Sequence, residues 1–215
     1  MSRYTGGSFA SNALRYDSPT FAGFRVIASR TMGGVAGDFD ASSSNQIMLR
    51  YDNEGRMFGA AGAYRAFDTN GNNWGQNNYA GLGLRATGDL TLMTNFWRLE
   101  NPNGNGAANT KFNLASVGGR YKINPNLTLG LGYYKLSDMI NRNNASDIKS
   151  ATLRYNVSKR TQFYTAVSAV NNKGTSGFAA WGGGGANNNT LSVTNGISGA
   201  GLNQTALAVG MRHAF

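Results

Sequence analysis

A lone arginine set in an apolar-aromatic alternation just before a turn recurs at nearly constant intervals along these 215 residues. The arginines are Arg15, Arg50, Arg85, Arg120 and Arg154, spaced 35, 35, 35 and 34 residues apart. They sit in Asn12-Ala-Leu-Arg-Tyr-Asp17, Ile47-Met-Leu-Arg-Tyr-Asp52, Leu82-Gly-Leu-Arg-Ala86, Val117-Gly-Gly-Arg-Tyr121 and Ala151-Thr-Leu-Arg-Tyr155. A sixth copy, Val209-Gly-Met-Arg-His-Ala-Phe215, closes the chain. A fixed period of this size raises helical repeats first. These segments, however, are rich in glycine and β-formers and alternate with period two. The repeating unit therefore reads as a β-hairpin: two strands, one short connection and one long one.

Eleven strands are expected, at 10–17, 21–31, 44–52, 56–67, 78–87, 90–100, 111–123, 127–137, 147–157, 161–171 and 204–215. Short connections (Ser18-Pro-Thr20, Asn53-Glu-Gly55, Gly88-Asp89, Asn124-Pro-Asn126, Ser158-Lys-Arg160) carry the residues of tight turns. Long ones near 32–43, 68–77, 101–110, 138–146 and 172–203 are dominated by Gly, Asn, Ser and Ala. Pro19, Pro102 and Pro125 all fall in connections, as strand hydrogen bonding requires. This is the pattern of an antiparallel up-and-down meander whose two ends differ. Eleven is odd, so the first and last strands run the same way. The segments near 10–17 and 204–215 are accordingly expected to be unpaired edges.

One parity of the strands is apolar: Leu14 and Tyr16; Phe24, Val26 and Ala28; Ile47, Leu49 and Tyr51; Leu129, Leu131 and Tyr133; Leu207, Val209 and Met211. The other parity is expected to carry Arg15, Arg25, Arg50, Arg65, Arg85, Arg120, Arg154 and Arg212, with many glycines. Charged side chains are almost never buried unpaired, so the arginine parity faces water. In a soluble sandwich the apolar face would pack on a second sheet, with large side chains filling the gap. Here the polar face has glycines and long arginines, which suits a wide aqueous lumen. The other face is a band of medium-sized aliphatics, which suits lipid. Tyrosines directly after Arg15, Arg50, Arg120 and Arg154 would stand at headgroup level near the short turns. Phase is ambiguous in the sixth strand (Met93, Asn95, Trp97 against Leu92, Thr94, Phe96) and in the tenth.

The formal charge of +10 comes from dispersed residues, and charged residues make up only 14% of the chain. Nucleic-acid binding would want a clustered basic patch with interleaved aromatics, and neither is present. No apolar run approaches 18 residues, which excludes a transmembrane helix. Zero cysteines exclude disulfides and thiolate zinc sites. The opening Met1-Ser-Arg-Tyr-Thr-Gly-Gly-Ser8 lacks the apolar core of a secretory signal. Gly182-Gly-Gly-Gly185 lacks the Lys and Ser/Thr of a phosphate loop. With one histidine and ten scattered carboxylates, no nucleophile-base set and no metal cluster can be assembled, so neither an enzyme nor a cofactor is expected.

The terminal Phe215, preceded at alternate positions by His213, Met211, Val209 and Leu207, resembles the last strand of Gram-negative outer-membrane proteins. The wider chain resembles the sixteen-stranded trimeric general porins of β-proteobacteria. The resemblance rests on Asn12-Ala-Leu-Arg-Tyr-Asp-Ser-Pro-Thr-Phe-Ala-Gly-Phe24, Val117-Gly-Gly-Arg-Tyr121, Leu131-Gly-Tyr-Tyr134, Leu153-Arg-Tyr-Asn-Val-Ser-Lys-Arg-Thr161 and the closing heptapeptide. It implies an all-β transmembrane barrel of which residues 1–215 form a single, partial domain, without the first five strands and the constriction loop. It also implies outer-membrane location, passive diffusion of small hydrophilic solutes, and short turns facing the periplasm. The eight arginines would then line the pore and give it an anion preference. The implied partners are outer-membrane lipid and lipopolysaccharide, two further copies in a homotrimer, and the outer-membrane assembly machinery. That machinery would read Leu207, Val209, Met211, His213 and Phe215 as its signal. A truncated, non-conducting open sheet is the alternative.

Overall fold

A computed structural model describes residues 12–102, 109–176, 190–195 and 201–214. The fold is all-β and antiparallel, with the up-and-down order expected. Its strands are β1 (Ala13–Asp17), β2 (Phe24–Thr31), β3 (Ser44–Asp52), β4 (Met57–Phe67), β5 (Asn73–Arg85), β6 (Leu90–Asn101), β7 (Thr110–Lys122), β8 (Leu127–Asp138), β9 (Ala145–Asn156), β10 (Thr161–Lys173), β11 (Thr190–Asn195) and β12 (Gln204–His213). Strands follow one another in chain order along the sheet through β10, and then come β12 and β11. Among the described residues no helix is long and apolar enough to cross a membrane, which says nothing about strands.

Two strand assignments differ from the sequence reading. β5 begins at Asn73, so the preceding connection is only 68–72. Asp68 tightens that turn by accepting the backbone N–H groups of Asn70 at 2.8 Å and Asn72 at 2.9 Å. The second difference is β11, a twelfth strand inside the expected long connection 172–203. It pairs with β12 from Thr190↔Gly210 to Asn195↔Thr205. β12 therefore has β10 on one side and β11 on the other, and the expected free edge at 204–215 is covered. β1 does stand at the end of the strand order.

The chain forms two compact units, one reaching Gly83 and including Asn95–Leu114, the other comprising Leu84–Thr94 and the residues from Ala115 onward. In the first unit the register runs Arg15↔Ser29, Arg25↔Arg50 and Arg50↔Ala60 across β1 to β4. In the second it runs Thr128↔Arg154, Arg154↔Tyr164 and Gln162↔Arg212 across β8, β9, β10 and β12. Directly opposed residues share a face, and alternate residues along a strand do too. The register therefore sorts every paired position onto an arginine face or an aliphatic face.

Short turns are held by local side-chain acceptors, which fixes where each ladder starts. Thr87 Oγ1 accepts the N–H groups of Asp89 and Leu90; Asn124 Oδ1 accepts those of Asn126 and Leu127. Ser158 Oγ accepts those of Arg160 and Thr161 in the same way. These are the Asx and hydroxyl turns that Asn, Ser and Thr form readily.

Burial is inverted relative to a water-soluble sheet. Each buried strand residue with a registered partner lies on the arginine face: Ile27 and Ala66 in the first unit, and Leu136, Ser146, Val170, Asn172, Gln204, Ala206, Ala208 and Gly210 in the second. Large aliphatics on the other face are open; Leu131 is 57% exposed and Leu14 68%, whereas Ala208 is 1% exposed. Small residues are needed on the arginine face where rings cross it. A Cβ at Gly83 would fall within the Phe58 ring, and one at Gly210 would meet the Tyr164 hydroxyl.

Candidate functional site

Within each unit, register and strand parity set the arginines apart from the exposed aliphatics, with Arg65 the exception. Arg15, Arg25 and Arg50 are joined by pairing in the first unit, as are Arg154 and Arg212 in the second. Arg85 alternates with Leu82 and Leu84, which are exposed on β5. Arg120 alternates with Val117 and Tyr121, which are exposed on the aliphatic side.

Within each unit the arginines also share a depth. Arg15, Arg50, Arg120 and Arg154 each stand two residues before the end of a strand at Asp17, Asp52, Lys122 and Asn156. Arg85 ends β5, Arg25 is second in β2, and Arg212 is next to last in β12. Two residues advance a strand by about 7 Å, so within each unit the guanidinium stems start within about one such step of the short-turn end.

Arg65 departs from this set. It lies opposite Asn45, which lies opposite Arg30, and all three share the face of Ile47 and Leu49 at the end of the long connections. The run Gly59-Ala-Ala-Gly-Ala63 offers no apolar-polar contrast from which to set the phase of β4. Arg30 is held there by hydrogen bonds to Asn45 Oδ1 (2.9 Å) and Asp40 Oδ1 (2.9 Å), and it stacks over the Phe39 ring at 4.1 Å. The two strands of ambiguous phase are settled as well. Phe163, Thr165 and Val167 pair with Tyr155, Leu153 and Ala151 on the aliphatic face. In β6, Leu92, Thr94 and Phe96 alternate as the exposed set, while Trp97 stacks on Tyr79 at 4.8 Å between ring centres.

Carboxylates are scarce near the ladder. On the arginine face of β1 to β4 only Asp17 and Asp52 are acidic, and on that face of β8, β9, β10 and β12 the one acid is Asp138, at the far end of β8 from the short turn. Asp17 takes two hydrogen bonds from Arg15 (2.6 and 3.1 Å) and one from Arg25 (3.0 Å). These contacts hold both guanidinium planes beside the first short turn, a clamp that sequence reading did not foresee. Arg50, Arg120, Arg154 and Arg212 are exposed. Surface ion pairs are worth little, so the unneutralised arginines are better understood as a field than as structural bonds.

Tyrosines follow the arginines onto the opposite face. Tyr16 and Tyr51 share the face of Leu14 and Leu49, and Tyr51 lies against Phe24 with ring centres 4.6 Å apart. Tyr155 lies between Leu127 and Phe163. Residues Leu207, Val209, Met211 and His213 lie together on this face, with Thr161 Oγ1 2.9 Å from His213 Nδ1. Phe215 lies outside the described residues.

A sheet with exposed aliphatics and rings on one face, and arginines near one end of the other, meets the demands of a bilayer-spanning strand set. The family profile described as Gram-negative porin matches residues 1–175. The chain belongs to the Gram-negative porin family. Its place is the bacterial outer membrane. Solved porins share the fold. An anion-selective porin from Comamonas acidovorans aligns with a TM-score of 0.76 at 20% identity, covering 96% of this chain and 60% of that one. Outer-membrane expressed OmpT of Vibrio cholerae aligns at 0.63 and 12% identity, covering 94% and 64%. An in-vitro folded, trimer form of OmpT aligns at 0.63 and 14%, covering 95% and 65%. The chain thus spans less than two thirds of the length of these porins. No curated protein matches it significantly.

Proposed function

We propose that this chain is the C-terminal part of a passive diffusion channel whose arginine face lines the water-filled pore, rather than part of an enzyme. The observation carrying this reading is the sharing of one face and one depth by Arg15, Arg25 and Arg50 in one unit and Arg154 and Arg212 in the other, with two carboxylates beside them. Arg85 and Arg120 continue the set by strand parity. Such a wall concentrates small anions and disfavours cations through its summed field, and mobile ions screen that effect. Rings of charged side chains act on permeating ions by the same electrostatics. Arg65, on the aliphatic face, is not counted among the pore-lining residues. Membership of the porin family supports the channel, and the anion-selective Comamonas neighbour is compatible with the sign of the preference.

The remaining strands would come from a longer chain, in keeping with the 60% coverage of that neighbour. A homotrimer is proposed by likeness to the trimer form of OmpT. The exposed row Leu207, Val209, Met211 and His213 is proposed as the assembly signal, with Phe215. The deciding experiment is a reversal-potential measurement across a planar bilayer holding the complete channel. Anion preference should fall as Arg50, Arg120 and Arg154 are replaced by Ser, most at low salt. Reversal potentials that stay fixed through that series would defeat the proposed selectivity.

A further inference from the structure

Along β4 the arginine face runs Phe58, Ala60, Gly62 and Tyr64, opposite Asp52, Arg50, Met48 and Gln46 of β3. Rings cross this wall where glycine leaves room. A Cβ at Gly62 would meet the hydroxyl and Cζ of Tyr79, so the Tyr79 side chain reaches from β5 over β4. The Phe58 ring reaches the other way, over Gly83 of β5. Trp97 of β6 stacks on Tyr79, with ring centres 4.8 Å apart and planes inclined by 22°. All of these residues belong to the first unit.

Arg50 belongs to the row between these rings. It lies opposite Ala60, which is two residues from Phe58 on one side and from Gly62 on the other. Diagonal neighbours across such a ladder are about 7–8 Å apart, within reach of a long side chain. Arg50 is exposed, while Asp17 is taken up by Arg15 and Arg25. The one acid on this face of β3 and β4 is Asp52, on the short-turn side, where its Oδ1 accepts the Glu54 N–H at 2.9 Å. On the long-connection side the next two rows hold Met48, Gly62, Gln46 and Tyr64, and no charge. The Tyr79 hydroxyl is turned away from solvent although the residue is partly exposed, so this side chain offers its ring.

We propose that Arg50, Tyr79 and Trp97 form a binding site for planar aromatic carboxylates on the channel wall. The carboxylate sits on the Arg50 guanidinium and the aryl ring lies against the Tyr79–Trp97 pair. A guanidinium holds a carboxylate through charge-assisted, often bidentate hydrogen bonds. Ring against ring adds an offset or edge-to-face contact beyond the area covered. An aliphatic acid of the same charge uses only the first contact, and an uncharged ring only the second. A neutral solute leaves the Arg50 charge unmatched. The site adds a ring preference to the anion preference proposed above, and it rests on the arginine face being the aqueous wall.

The test places the complete channel in a planar bilayer in potassium chloride at neutral pH and adds benzoate, cyclohexanecarboxylate or benzyl alcohol. Benzoate should block the current at concentrations about tenfold below those the other two require, the size of one good aromatic contact. Trp97→Leu should close the gap between benzoate and cyclohexanecarboxylate, and Trp97→Phe, which keeps a ring, should hold most of it. Arg50→Ser should raise the benzoate requirement toward that of benzyl alcohol. Heat-modified gel mobility identifies folded protein, and Tyr79→Leu carries the same expectation should Trp97→Leu not fold. Equal block by benzoate and cyclohexanecarboxylate in the wild type, or a gap that survives loss of the ring, would overturn the proposal. Current in chloride alone reads the channel separately. A wild type without conductance would remove the aqueous wall and this site with it, whereas a conducting wild type indifferent to the ring would remove this site alone.

Discussion

Arg25 and Arg50 stand directly opposite each other across the β2–β3 ladder, on one face and near one end of their strands. Like charges directly opposed in an antiparallel pair are destabilising. Asp17 offsets one of them through its 3.0 Å contact with Arg25. The pair is a poor choice for stability and a good one for a positive surface. Replacing Arg50 by Ser should therefore leave the melting temperature of the complete channel unchanged or slightly higher, by well under about 1 kcal/mol. The same change should lower its anion-over-cation permeability. Circular dichroism melting and reversal potentials read the two effects separately, and a clear drop in stability would show that Arg50 is structural.

Gly83 and Phe58 define a second prediction, since a Cβ at Gly83 would overlap the ring. Overfilling a packed site typically costs about 1–3 kcal/mol. Gly83→Val should lower thermal stability by that order, whereas Gly88→Val, with nothing near its Cβ position, should be close to neutral. Heat-modified mobility across a temperature series is the measurement. Pairing the change with Phe58→Ala should recover part of the loss.

The arginine ladder could be read from sequence because its strands alternate strongly: Leu49, Arg50 and Tyr51 leave one assignment of faces. Arg65 was misplaced because glycine and alanine around it carry no phase, and only its pairing with Asn45 supplies one. β6 and β10 were ambiguous because both parities hold bulky residues, and there the register or the exposure pattern decided. β11 is six residues inside a Gly- and Asn-rich stretch, and Leu191 and Val193 are too short an alternation to stand out. The Asp17 clamp depends on side-chain reach across a turn, which periodicity does not encode.

Acid should loosen the β4–β5 connection through Asp68. Its carboxyl is held below the usual aspartate range, first by the Asn72 backbone N–H and also by that of Asn70, against a partial desolvation. A lowered folded pKa means the contribution is fully present above the ordinary aspartate value. It is lost as pH falls through the lower, folded value. The Asp68 carboxyl carbon should accordingly titrate in NMR with a midpoint under that of a free aspartate. Asp68→Asn should flatten the titration and leave strand pairing intact. A midpoint at or above the ordinary value would show that the turn contacts do not form in solution.

Leu131 and Ser150 separate the two faces most directly. Leu131 is on the aliphatic face, opposite Ala151, with more than half its surface open. Ser150 is on the arginine face, between Gly132 and Ser168, one residue along β9 from Ala151. If lipid covers the first face, an arginine at 131 must place a guanidinium in hydrocarbon. That costs about 2–4 kcal/mol near the bilayer midplane. An arginine at 150 enters water beside small neighbours and should cost little. Leu131→Arg should thus lower folding free energy in lipid vesicles by that order while leaving ion preference alone. Ser150→Arg should do the reverse, sparing stability and strengthening anion preference. Equal destabilisation by both changes would mean that neither face is aqueous, and it would remove the basis for a pore on the arginine side.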